Sequence, residues 1–151
     1  MREKNVDANS LPWKRLQTIA MVSVAGSLIL GAAILVFPMG HTGLTMSMEE
    51  KMTAMVIVLF LMQLARKVGS KWGAKPVEGE SAWKGVSDPE MAHPRQVRMF
   101  FLPLMMVEFA QLAGMAFAII VNEPMFGAVS ALLAIFYFII LWPHPGRKLD
   151  A

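Results

Sequence analysis

The chain has no cysteine, which excludes a disulfide framework and any thiol-based metal or redox centre. Charge is scarce as well: 17% of the 151 residues are Asp, Glu, Lys or Arg, against 56% hydrophobic. A soluble domain of this length needs a larger polar shell, so the composition points to a membrane protein. There is no Walker-type phosphate loop, no GxGxxG after a strand, no Ser-His-Asp set and no pair of carboxylates inside an apolar run. His93 and His144 stand beside prolines, without HxxH or HExxH spacing. These absences argue against an enzyme, a resident cofactor and a histidine metal centre.

What is present is a set of long apolar runs. Leu16 to Phe37 carries no charge and is long enough to cross about 30 Å of hydrocarbon at about 1.5 Å per residue. No small-x-small cleavage site follows it, so it is read as a retained span and not as a signal peptide. Met52 to Ala65 is short and reaches spanning length only if Met46 to Lys51 or Arg66 and Lys67 add turns. Met99 to Val121 is interrupted only by Pro103, Glu108 and Gln111, and Met125 to Trp142 ends at "WPHPG", where two prolines stop a helix. The expected fold class is an all-α integral membrane protein, with four transmembrane helices as two helical hairpins. Its expected divisions are an N-terminal segment at 1–15, a hairpin at 16–65, a loop at 66–98, a second hairpin at 99–143 and a tail at 144–151.

Thirteen of the fourteen Lys and Arg residues fall before the first run, between the second and third, or after the fourth; Lys51 is the exception. Basic residues collect on the cytoplasmic side of a membrane, so both termini and the middle loop are expected in the cytoplasm of a bacterial inner-membrane protein. Placed this way, the net charge of +3 belongs to topology and not to nucleic acid. The expected partners are the lipid bilayer and a homo-oligomer or larger membrane complex. In the loop, Trp72 and Trp83 are expected to anchor at the headgroup layer.

Glu108 is the unusual residue. It lies ten residues beyond Arg98, which puts it roughly 15 Å deep, near the bilayer midplane. A bare charge there costs several kcal/mol, so a neutral, hydrogen-bonded acid is expected. Gln111 shares its helix face at i+3. The same depth count brings Ser23 and Ser27 of the first run, and Ser130 and Tyr137 of the fourth, to the level of Glu108, and no basic residue. These six residues form the candidate site, either as interhelical hydrogen bonds or as a proton- or cation-binding carboxyl. Small residues (Ala25, Gly26, Ser27, Gly31 and Ala32 in the first run; Ala110, Ala113 and Gly114 in the third) are expected at helix contacts. Aligning Gly31 with Gly114 hints at a duplicated hairpin in which Ala25 replaces Glu108.

The stretch "VEFAQLAGMAFAIIVNEPMF" resembles the carboxylate-bearing helix of the rotary ATP synthase c subunit, the proteolipid. Glu108, Gly114, Asn122 and Pro124 match its pattern over about twenty residues. That resemblance implies ion transport at Glu108. The preceding run, "MTAMVIVLFLMQLA", lacks the proteolipid's glycine stripe, and a polar loop of over thirty residues replaces its short one. Over most of its length the chain is similar to small uncharacterised four-span bacterial membrane proteins, which implies no activity. Met39, His41, Met46, Met48 and Met52 gather near the external side; Cu(I) binding there is weighed against methionine's ordinary role as core filler, which is favoured. The overall expectation is a noncatalytic accessory or assembly component, with proton- or cation-coupled transport through Glu108 as the alternative.

Overall fold

The structure, a computed structural model, describes residues 10–37, 44–76 and 90–144. It is all-helical apart from one short ladder: α1 spans Trp13–Val36, α2 Met48–Gly73, α3 Pro94–Ile120 and α4 Pro124–Ile140. β1 (Leu11–Pro12) pairs antiparallel with β2 (Met91–Ala92), Leu11 opposite Ala92. Three helices, α1, α2 and α3, are long and apolar enough to cross a membrane. α4 has 17 residues, about 25 Å of helix against about 30 Å of hydrocarbon.

The bundle is apolar on its outside. Val22, Ile29 and Val36 on α1, Val56 and Phe60 on α2, Phe109 and Leu112 on α3, and Leu132 and Phe136 on α4 are all exposed. An apolar surface of this extent marks contact with a lipid or protein phase instead of water.

The second span is longer than its apolar run because both flanks are helical. Ser47 caps the N-terminus, accepting from the Glu50 backbone N–H while the Glu50 carboxylate accepts from the Ser47 N–H. This reciprocal box satisfies two orphan donors and starts the helix before Lys51. At the other end α2 continues past Arg66 and Lys67 to Gly73, so the connection expected at 66–98 is partly helix. Gly69 and Gly73 lie against the start of α3. A methyl added to Gly73 would come within 2.6 Å of Met99 Cα, and one added to Gly69 within 2.7 Å of Pro103 N. The two backbones touch there, which only glycine permits. α3 itself opens at Pro94, with the His93 Nδ1 accepting from Arg95 N–H and Gln96 Oε1 accepting from His93 N–H.

Helix pairing differs from the expected two hairpins. α3 and α4 do form a packed hairpin, joined by a tight turn: Glu123 N–H donates to Ala118 O, Asn122 N–H to Ile119 O, and Asn122 takes φ 55°. This is a Schellman ending, with Asn as one of the few non-glycine residues that enter the left-handed region readily. α1 and α2, in contrast, do not pack along each other; α1 lies on α4, and α2 lies on α3 with a smaller contact to α4. Gly31 of α1 approaches Ala131 of α4, where a methyl would fall 2.9 Å from the Ala131 Cβ. Gly114 of α3 approaches the neighbouring Ser130. The two glycines aligned by the suspected repeat thus meet adjacent residues of one helix.

Contacts at the two ends of the bundle show which helix ends lie together. Gln17 donates to Pro143 O, Trp13 N–H to Glu90 O and Arg98 to Lys75 O at one end. At the other, Leu44 N–H donates to Ile120 O, and Lys51 forms an ion pair with Glu123. Lys51, the one Lys or Arg of that end among the described residues, therefore has its own counter-ion. Trp72 is exposed near the basic end; Trp83 lies outside the described residues.

Candidate functional site

Ser23 and Ser27 sit one turn apart at the middle of the 24-residue α1, and Glu108 and Gln111 sit one turn apart at the middle of the 27-residue α3. Spacings of four and three each put a pair on one helix face, and here the two faces meet. The Ser23 hydroxyl donates to Glu108 Oε1 at 2.7 Å, and the Ser27 hydroxyl donates to Gln111 Oε1 at 2.8 Å. The result is a two-rung polar ladder between helices whose backbones otherwise have little contact.

The rungs differ in burial. Ser27 and Gln111 are each 3% exposed, whereas Ser23 and Glu108 are half-buried. Gln111 Nε2 turns to the Met115 Sδ at 3.9 Å, a weak acceptor. Glu108 Oε2 makes no hydrogen bond, and Glu108 no ion pair, among the described residues. Beside the ladder is a recess of about 240 Å³. Ser23, Ser27, Glu108 and Gln111 form its polar wall; Gly26, Leu30 and Leu112 complete it. Leu30 and Leu112 are both exposed, so the recess opens onto the apolar outer surface.

Four of the six expected site residues therefore come together, and two do not. Ser130 is fully buried and pressed against Gly114, with its hydroxyl lacking a hydrogen-bond partner among the described residues. Tyr137 belongs to the main core, edge-on to Phe136, with no hydrogen bond to Glu108 or Gln111. Ser130 meets α3 at Gly114, one turn beyond Gln111, and Tyr137 turns into the main core, so neither reaches Glu108.

The small residues also divide. Ser27, Gly31, Ala110 and Gly114 are buried, while Ala25, Ala32 and Ala113 are exposed. Gly26 has nothing within 4 Å of where a Cβ would stand: it leaves space in the recess instead of allowing a close approach. Its role, and those of Leu30, Leu112 and Met115, have no signal in a single sequence. Among the described residues no group of three His, Asp or Glu gathers as metal ligands. Met46 is half-buried, Met48 and Met52 are exposed, and Met39 and His41 lie outside the described residues. No family model, curated protein or solved structure matches the chain.

Proposed function

We propose that this is a bacterial inner-membrane protein of four spans, both termini cytoplasmic, that serves as a noncatalytic accessory or assembly component. The observation that carries the proposal is the pairing of the intramembrane polar groups with one another. Glu108 and Gln111 accept from Ser23 and Ser27, so they tie α1 to α3 where little else does. A carboxyl held this way stabilises a helix arrangement, with interhelical bonds of this kind contributing about 0.6 kcal/mol and up to about 1.7 kcal/mol each. α4 completes the fourth span with Leu141 to Pro143 carrying the chain to the basic end, where Pro143 O accepts from Gln17.

A second reading, proton- or cation-coupled transport through Glu108, draws on one specific observation: Oε2 makes no hydrogen bond among the described residues and borders a recess. Proteoliposomes separate the two. The accessory role is expected to show no proton or sodium flux in the purified protein, and Glu108→Ala is expected to weaken the bundle in a denaturation titration. Flux in the wild type that Glu108→Gln abolishes would replace the accessory role with transport.

A further inference from the structure

Gly26 is the starting point. The other five described glycines are all crowded: a Cβ at Gly31, Gly69, Gly73, Gly114 or Gly127 would strike a neighbouring helix. Gly26 has open space instead, in the middle of α1, where glycine costs about 1 kcal/mol relative to alanine. Helix packing does not account for it. It lines the recess of about 240 Å³.

Size and chemistry narrow what that recess can take. A protein cavity of about 150 Å³ accepts a benzene ring, so 240 Å³ holds a substituted ring but falls below the roughly 300–1,000 Å³ of pockets for drug-sized ligands. The occupant's remaining bulk therefore stays outside, past Leu30 and Leu112, against the apolar surface. Gly26 presents bare backbone, against which a flat group can lie. On the polar wall, Ser23 and Ser27 have already committed their protons to Glu108 and Gln111. What remains is Glu108 Oε2, together with a Gln111 amide engaged only by a thioether. A hydroxyl suits this set in either state of the carboxyl, because it donates to a carboxylate and accepts from a carboxylic acid. A rigid ring also loses less rotamer entropy on binding than a flexible chain would.

We propose that the Glu108 recess is a lateral binding site for a bilayer-dissolved phenol, its hydroxyl on Glu108 Oε2 and its ring on Gly26. The site rests on the membrane placement above and on neither functional reading. The probe is 4-hexylphenol, with hexylbenzene as the control lacking a hydroxyl, added to the full-length protein in proteoliposomes. Two readouts are used: saturation-transfer NMR of the probe, and the rate at which a hydrophobic carbodiimide modifies Glu108. The phenol is expected to receive saturation and, at about ten times its Kd, to slow modification about tenfold by mass action; hexylbenzene is expected to do neither. A Cβ at Gly26 stands in open space, so Gly26→Leu can extend its branches into the recess; it is expected to remove the saturation signal while the melting temperature holds.

Equal effects of hexylbenzene, an unchanged signal in Gly26→Leu, or protection by sodium but not by the phenol overturn the proposal. So does a Glu108 that the hydrophobic reagent never modifies, because the recess is then closed to the bilayer. If a water-soluble carbodiimide modifies Glu108 equally fast, the membrane placement falls with it. If only the hydrophobic reagent reacts and the phenol changes nothing, the ligand class alone falls.

Discussion

Ser27 and Ser23 occupy equivalent rungs of one ladder, yet they stand in different surroundings. The partner of Ser27, Gln111, is almost fully buried, and its carbonyl accepts from no other group among the described residues. Ser27→Ala therefore strands a buried acceptor and is expected to cost on the order of 1 kcal/mol, at the upper end of intramembrane hydrogen bonds. Ser23→Ala is expected to cost less, because Glu108 borders the open recess and can turn towards it. Titration with a denaturing detergent in mixed micelles measures both, and equal losses would show that burial does not separate the rungs. The four polar residues of the ladder are legible from sequence because each can be counted in from a basic residue at the membrane edge, Arg15 or Arg98. Depth is one coordinate only. Rotation about the helix axis is the other: Ser130 faces Gly114 and Tyr137 faces the main core, so neither turns to Glu108. Rotation follows from which helix packs where, and near-uniform apolar helices carry little moment to reveal it.

At the level of the elements, the informative case is α2. Its apolar run is short, and Gly69 and Gly73 sit among lysines, so composition assigns them to a polar loop. In the folded chain they are a glycine pair four residues apart, laid on the backbone of α3 at Pro103 and Met99. Hydropathy finds the part of a helix that lies in lipid; it does not find the turns that extend into the basic interface. The start of α2 was accessible in principle, since Ser47 and Glu50 have capping-box spacing. Gly73→Val drives a branched side chain into the Met99 backbone and is expected to destabilise the bundle by about 1–3 kcal/mol, as overpacking does. Gly26→Val, the same substitution into open space, is expected to cost far less. Comparing the two by thermal melting tests whether close approach, and not glycine itself, matters at Gly73.

For the whole molecule, the prediction concerns sidedness. The described Lys and Arg residues other than Lys51 lie at the end that holds the start of α1, the end of α2 and the start of α3, and Lys51 is paired with Glu123 at the other. With no native cysteine, single introduced cysteines report topology cleanly. Thr45→Cys and Lys71→Cys replace exposed residues at opposite ends. In intact spheroplasts, a membrane-impermeant maleimide is expected to modify the first and spare the second until the membrane is permeabilised. Modification of Lys71→Cys alone would invert the orientation. The gathering of the described basic residues other than Lys51 at one end is readable from the charge distribution. The pairing of α1 with α4 was not readable, because neighbours in sequence are the natural first guess for helices joined by short connections.

That pairing sets an order of events at synthesis. α1 leaves the ribosome first, and the helix it packs on leaves last. About 100 residues separate their C-terminal ends, which translation covers in about 5–20 s at roughly 5–20 residues per second. During that interval Gly31 lacks Ala131, and until the third helix emerges Ser23 and Ser27 have no Glu108 or Gln111 to bond. The first helix must therefore hold its place by hydropathy alone, which its uncharged run from Leu16 to Phe37 supplies. Its two serines can turn their hydroxyls back onto carbonyls of their own helix while they wait. Arrival of the third helix then exchanges those local bonds for interhelical ones, and arrival of the fourth closes the last backbone contact.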